Sequence, residues 1–502
     1  MNILLVYPEY PDTFWSFRYA LRFVSAKAAF PPLGLLTVAS LLPKEWNKRV
    51  IDLNVSELTD DCILWADMVF ISAMIVQKES AKEIIKRCKD LRKTVVAGGP
   101  YFSSHYEEFA NVDHLVLNEA EITLPLFLKD LLDGKARQIY RSEIKPDLKD
   151  TPLPMWSLIN TKNYISMSIQ YSRGCPFNCE FCDIIVMNGR APRTKTADQI
   201  LRELDALYSA GWHGSVFIVD DNFIGNKRNV KQLLPEIINW QKLHRYPFKF
   251  MTEASINLAD DEELMQMMSL ANFHKVFLGI ETPCIESLKE TGKLQNTTRN
   301  LNEVIKTIQR NGMQVMGGFI VGFDNDPENI FDVQTQFIQK SGVVFAMVAI
   351  LNALPQTRLW YRLKAEGRLL SATGGEATDG SFNFIPKMGK AKLLAGYKKI
   401  LSIIYSPRQY YQRIFTFLAN YKPTARGGKF CFSYFKAFFT SIWRIGVLSN
   451  TRWLYWKLIF TTIFTKMKAL PTVVEYAING FHFAKIAEKV IKVKELPQSS
   501  RP

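Results

Sequence analysis

Short apolar runs alternate with amphipathic stretches over the first two-thirds of the chain. ILLVY (3–7), RVIDL (49–53), MVFIS (68–72), TVVAGG (94–99) and DHLVL (113–117) are compact apolar runs of strand length. Segments 33–42, 78–91 and 121–132 lie between such runs and space their apolar residues as a helix does. Strands alternating with helices predict a doubly wound, Rossmann-like parallel sheet, an α/β domain over residues 1–135. Sheets of this kind take ligands at the carboxyl ends of their strands. Ser72 and Gly98-Gly99-Pro100 fall at two such ends, and glycines there let a backbone approach a ligand closely.

The polar stretch YRSEIKPDLKDTPLPMW (140–156) contains three prolines and reads as a linker, assigned to residues 136–162. From 163 to 386 the alternation resumes. Strands are predicted at 165–171, 215–220, 248–254, 275–280, 313–321 and 343–350. Helices are predicted at 197–209, 229–243, 260–270, 299–311 and 327–340. Six strands with helices between them suit a partial (β/α)6 barrel, whose chemistry sits at strand C-termini. Residues 387–502 lose the alternation and predict a mostly helical, basic, aromatic-rich domain.

Composition narrows the class. With 47% hydrophobic and 22% charged residues the chain is globular rather than disordered. Seven cysteines, three of them crowded together and the rest scattered, do not make a disulfide framework. They suggest a metal site in a reducing compartment. The opening MNILLVYPEY lacks the basic start and long apolar core of a secretory signal and reads as a first strand. No apolar run reaches the roughly 18 residues of a spanning helix. The expected location is the cytoplasm.

The cysteine cluster is S-R-G-C-P-F-N-C-E-F-C-D at 172–183, spaced C-x3-C-x2-C. Thiolates are the soft ligands of iron–sulfur clusters. Cys175, Cys179 and Cys182 can reach three irons of a [4Fe–4S] cubane and leave the fourth open to an amine and a carboxylate. Phe181, between the last two cysteines, would cover the cluster. The competing reading is a zinc knot, but structural zinc normally takes four protein ligands, and the next histidine is His213.

These residues resemble the signature of the radical S-adenosylmethionine (SAM) superfamily. The resemblance implies a [4Fe–4S] cluster on Cys175, Cys179 and Cys182, one-electron cleavage of SAM, and a donor such as ferredoxin or flavodoxin. It implies SAM contacts at later strand ends, by position Asp220, Asp221, Asn222, Glu253 and Glu281. Gly322, in G-G-F-I-V-G-F-D (317–324), corresponds to a strand passing near the adenine. The bland alternative for any single acid is a solvated residue or a helix cap.

A doubly wound domain ahead of such a barrel resembles the cobalamin-dependent branch. Phe30-Pro-Pro-Leu-Gly34, Gly98-Gly99-Pro100 and N-E-A-E at 118–121, which holds Glu119, look like its recurring pieces. The D-x-H-x-x-G signature is missing, and only His105 and His114 lie in this domain. The resemblance therefore implies cobalamin bound without a histidine ligand. A nucleotide, or no ligand, is the alternative for such a sheet.

Charge divides the chain. From Lys387 onward there are 21 basic and 3 acidic residues, whereas the first 386 carry 42 and 45. Cations interleaved with Trp, Tyr and Phe suit peripheral contact with a membrane surface, at the inner face in a cytoplasmic protein. A solvated helical cap and a nucleic-acid surface are the alternatives. The second three-cysteine cluster of methylthiotransferases acting on transfer RNA is absent, which counts against nucleic acid.

Taken whole, the chain resembles cobalamin-binding radical SAM proteins with a helical C-terminal extension, a group that includes bacterial hopanoid methylases. The expected activity is methylation of an unactivated carbon in a small molecule or isoprenoid lipid. Radical cyclisation without methyl transfer, and a cofactor-sensing module, are the alternatives.

Overall fold

The computed structural model describes residues 1–370, 380–424 and 432–492. The N-terminal sheet consists of β1 (Asn2–Tyr7), β2 (Asn47–Asp52), β3 (Met68–Ser72), β4 (Thr94–Gly98), β5 (His114–Val116) and β6 (Ile139–Tyr140). All pairs are parallel, in the order β2-β1-β3-β4-β5-β6. Their apolar runs are buried on both faces, as a parallel sheet between helices requires. Helices Leu33–Leu41 and Ala120–Leu132 cover one face, and Asp60–Trp65 and Lys78–Asp90 the other. The two-residue edge strand β6 is too short to stand out as a pattern. Its main chain nonetheless pairs with β5.

The second sheet begins with β7 (Ser166–Ile169). A small antiparallel ribbon follows, β8 (Ser172–Arg173) against β9 (Arg193–Thr194). Then come β10 (Ser215–Ile218), β11 (Lys249–Ala254), β12 (Phe273–Glu281), β13 (Gln314–Val321) and β14 (Phe345–Ile350). The six long strands are parallel, in the order β14-β13-β12-β11-β10-β7, and β14 does not pair with β7. This is the open barrel that the alternation predicts. The first strand stops at Ile169 rather than Tyr171. Tyr171 turns its N–H to the Asp220 carboxylate, 2.7 Å away, and the chain leaves the sheet there.

Helices follow the pattern closely where caps are strong. Ala197–Ser209 starts on a capping box between Thr196 and Gln199. It buries Ile200, Leu204 and Leu207 against the barrel.

The C-terminal region is helical: Lys390–Ile404, Pro407–Asn420, Phe432–Ser441 running into a π-helical turn Ile442–Val447, Arg452–Lys466 and Leu470–Lys492. It closes two exposed parts of the barrel. An open barrel leaves an edge strand with unpaired carbonyls. On β14 and just before it, the carbonyls of Val344, Ala346 and Val348 accept from Arg413 Nη2 (3.3 Å), Tyr405 Oη (2.5 Å) and Tyr397 Oη (3.2 Å). Side chains from two helices thus stand in for a seventh strand. The last helix lies under the barrel. Glu475 pairs with Lys275, and the Tyr476 ring meets Phe345 edge-on at 5.0 Å. The same helix binds the N-terminal region, where Phe14 O lies 3.1 Å from His482 Nε2. No helix among the described residues is long and apolar enough to cross a membrane.

Candidate active site at the barrel mouth

The cysteine loop is tied down at both ends. The β8–β9 ribbon closes its base, and Cys175 N donates to Gly189 O at 3.2 Å. Gly174 sits at φ +99°, and a Cβ there would stand 3.0 Å from both Gly189 O and Ala191 O. Only glycine takes that turn without strain. Further along, Glu180 N donates to Thr291 O (2.8 Å) and Leu359 N to Glu180 O (3.0 Å). The Glu180 carboxylate binds Arg362 in a fork at 2.8 and 3.1 Å.

Two of the acids expected to face SAM are engaged by this loop. Asp220 accepts from Tyr171 N (2.7 Å) and Ser172 Oγ (2.6 Å). Asp221 accepts from Gly174 N (2.8 Å) and Asn188 Nδ2 (2.9 Å). Both sit just past β10 and anchor the root of the cysteine loop. Burial pushes Asp220 up to about 7. Asn222 reaches further: its Nδ2 lies 3.8 Å from Cys175 Sγ and 3.2 Å from Ser255 Oγ.

The thiols are largely withdrawn from solvent. Cys179 is buried, and Cys175 and Cys182 are half-buried. Burial pushes the Cys175 and Cys182 thiols up, the neighbouring thiols and Asp183 adding to it. Free thiolates are therefore disfavoured there, and metal cations would reverse that balance. The Lys293 ammonium works against that rise at both thiols. It pairs with Glu281 and lies 5.9 Å from the Phe181 ring. Among the described residues no three His, Cys, Asp or Glu side chains gather around a single metal position. Three soft donors distributed along one loop fit an iron–sulfur cluster, in which each iron takes its own thiolate.

The remaining residues line the same mouth unequally. Glu253 is the next-to-last residue of β11. Burial, then Asp221 and Asp220, push it up to about 8, which favours the protonated, donating form. Glu281 adopts φ +64° at a register shift between β12 and β13, which turns its side chain toward Lys293. Phe181 packs on Phe323 at 6.1 Å. Gly322 (φ +107°) is held by its N–H to Asp326 Oδ2 at 2.8 Å. Its vacant Cβ position faces Leu393 and Leu351.

A cavity of about 350 Å³ lies between the N-terminal sheet and the barrel. Ser72, Gly98, Gly99 and Pro100 line it, with Gly34 and Val38 from helix Leu33–Leu41. A Cβ on Gly98 would stand 2.6 Å from Val116 O, and one on Gly99 2.5 Å from Ser72 Oγ. Neither His105 nor His114 is among its lining residues. The barrel supplies Gln170, Arg173 and Lys195.

The wall between cavity and cysteine loop is an ionic network that residue-by-residue reading of the sequence does not reveal. Arg173 binds Glu119 at 2.7 Å and Glu121 at 2.8 Å, and Arg193 binds Glu119 at 2.8 Å. Burial pushes Glu121 up, and Arg173 more than offsets this, leaving it below the usual carboxylate range. Arg173 and Arg193 are paired across the ribbon that carries the cysteines. The only sequence signal was the place of Arg173 inside the cysteine motif; Arg193, ten residues past it, carried none.

Family models match along most of the chain: a B12 binding domain over residues 20–128, the Radical SAM superfamily over 169–333, and a domain of unknown function, DUF4070, over 357–495. Among curated proteins, an uncharacterized methyltransferase, sll1242, of Synechocystis sp. is 46% identical over 91% of this chain and 86% of its own length. The hopanoid C-2 methylase of Rhodopseudomonas palustris is 35% identical over 91% and 88%.

The chain belongs to the B12-binding radical SAM family.

Within that family it is a radical SAM enzyme of the cobalamin-dependent methyltransferase kind. The domains imply a [4Fe–4S] cluster, SAM and cobalamin. Two solved structures share the fold. The cobalamin-dependent SAM radical enzyme OxsB, with aqua-cobalamin and SAM, superposes with TM-score 0.64 at 15% identity, over 98% of this chain and 80% of that one. The radical SAM methyltransferase TsrM from Kitasatospora setae, with cobalamin and a [4Fe–4S] cluster, gives 0.59 at 14%, over 74% and 79%.

Proposed function

We propose that this enzyme methylates an unactivated carbon of an isoprenoid lipid of the hopanoid class. The carrying observation is the shared wall between its two sites: Arg173 lines the N-terminal cavity and stands two residues before Cys175. Groups held in the two sites would meet across this wall, as a reaction needing both requires. The lipid class rests on the hopanoid C-2 methylase relative.

In this reading Cys175, Cys179 and Cys182 hold the cluster and Phe181 shields it. Asn222, Glu253 and Glu281 bind SAM, with Lys293 fixing the Glu281 carboxylate. Asp220 and Asp221 position the loop. Ser72, Gly98, Gly99 and Pro100 shape a slot for the cobalamin tail, and Glu119 ties that slot to the barrel. The cofactors supply a methyl carrier and a one-electron route to hydrogen removal from carbon. Neither His105 nor His114 lines the slot, so these residues would hold cobalamin without a histidine ligand.

The deciding experiment incubates the reconstituted, reduced enzyme with a hopanoid acceptor and methyl-labelled SAM. Label in the lipid, with 5′-deoxyadenosine formed alongside, is the expected result. Deoxyadenosine without labelled product would point to cyclisation or rearrangement. No SAM cleavage at all would favour a sensing role.

The slot has its own test. A Cβ on Gly34 would meet no atom within 4 Å, and the residue lines the cavity. Gly34→Phe should therefore fold normally and fill the slot. Cobalamin retained after gel filtration should fall about tenfold, a loss of roughly 1.4 kcal/mol. Undiminished retention would place cobalamin elsewhere.

A further inference from the structure

Helix Arg452–Lys466 carries large apolar residues on its outer face as well as its inner one. It buries Tyr455, Leu458, Ile459 and Thr462. On the opposite side Trp453, Lys457, Phe460 and Phe464, with Met467 just beyond, recur at spacings of four, three, four and three. Within the helix that spacing aligns the first four in one narrow stripe. Trp453 is 77% exposed, Phe464 84% and Met467 69%. Single exposed apolar side chains are ordinary, but a contiguous set of large ones marks an interaction surface.

The preceding segment repeats the arrangement. Phe435, Phe439, Trp443 and Val447 recur every four residues and are exposed, while Ala437, Ser441 and Ile445 are buried. Both segments pack on the last helix. A hydrogen bond between Ser441 Oγ and Tyr455 Oη, 2.8 Å, joins their inner sides. Leu448, at the turn between them, is also exposed.

Charge decides what such a surface would meet. From Gly380 to Val474 the sequence has no Asp or Glu and sixteen Lys or Arg. Lys436, Arg444, Arg452, Lys457 and Lys468 are exposed on or beside the two stripes. A second copy of the chain would bring this acid-free face against cations of the same sign, which disfavours association. Bases stack on aromatic rings, but Val447, Leu448 and Met467 offer no such platform. Their chemistry suits acyl chains.

We propose that the helical hairpin 435–468 is a docking surface for an anionic lipid bilayer. Its rings and aliphatic tips enter the headgroup zone, and its cations meet lipid phosphates. The surface stands independently of the reaction: a water-soluble methyl acceptor would leave it intact, and failure to bind lipid would leave the chemistry intact.

The test is sedimentation of the full-length protein with vesicles of phosphatidylcholine, alone or mixed with phosphatidylglycerol. The mixed vesicles should capture the protein and the neutral ones should bind it far more weakly. Arg452→Glu/Lys457→Glu should lower binding about tenfold or more at low salt, given about 1 kcal/mol per charge near such a surface. That difference should shrink as salt screens it. Trp453→Ser/Phe464→Ser, at exposed positions, should unfold at the wild-type temperature and lose binding about tenfold at low and high salt alike. Wild-type protein that stays in the supernatant with both vesicles overturns the proposal, as does unchanged binding by both variants. Self-association abolished by Trp453→Ser/Phe464→Ser, without vesicle binding, would give the face to a second copy. Release from vesicles by single-stranded RNA at a matched charge ratio, with no release by heparin, would give it to nucleic acid.

Discussion

Cys179→Ala should leave the fold intact and reduce SAM cleavage to background. The side chain is small and 8% exposed, and its sulfur has one weak partner, Gln295 Nε2 at 3.8 Å. Removing it costs little packing, so a loss of activity would report on the metal site. Three thiolates for a cubane leave none in reserve, and no other Cys or His stands in the loop. After anaerobic reconstitution the variant should hold less iron and lose most of the broad visible absorption of an iron–sulfur protein. It should form no 5′-deoxyadenosine above a no-enzyme control. Cys284→Ala is the matched control. That thiol is half-buried and reaches Glu286 and Asn325 instead. It should load iron and cleave SAM as the wild type does. A Cys179→Ala protein with full iron and full cleavage would refute the assignment of the cluster to this loop.

Arg173→Met should have the largest effect on stability. The guanidinium is the shared partner of Glu119 and Glu121, whose side chains are only 8% and 5% exposed. Methionine fills similar space but leaves Glu121 buried without a cation, while Glu119 keeps Arg193. Breaking a buried pair from one side costs about 3–5 kcal/mol, mainly through the charge left behind. The first thermal or urea transition should shift accordingly. Adding Glu121→Gln should recover part of the loss, because it removes the stranded charge. A shift below ~1 kcal/mol, the scale of an exposed pair, would show the network to be solvated. The same variant should load less iron, since the next two residues are Gly174 and Cys175. Stability and cofactor loading are coupled here through one side chain.

The two variants sit at different depths of legibility. Cys179 stands out in the sequence because its spacing from Cys175 and Cys182 is a local chemical pattern on one loop. Glu119 was readable as part of a recurring N-E-A-E run, but its partners were not. Arg193 lies 74 residues away and meets Glu119 only because the ribbon β8–β9 folds back toward the N-terminal sheet. Lys293 was missed for a similar reason. It lies twelve residues past Glu281, beyond a short helix, with no motif of its own. Asp220 and Asp221 were legible as polar residues at a strand end, but not in their bonding. Which groups their carboxylates accept from depends on where the cysteine loop crosses β10.

The sequence by itself determined the parallel sheets, the open barrel, the helical C-terminal region and the three-cysteine loop. Those features rest on local periodicity, on strand length and on close spacing, which a chain carries in its own order. The tertiary structure alone decided the rest: the ionic wall between cavity and barrel mouth, the cover of tyrosines and Arg413 over the β14 edge, and the outward apolar stripes of the C-terminal hairpin. In sequence the stripe residues belong to a basic, aromatic-rich run that suits a membrane surface or a solvated cap equally, because periodicity shows that a helix has an apolar side without showing what that side faces. Only the packing of the opposite side onto the last helix settles that Trp453 and Phe464 point to solvent.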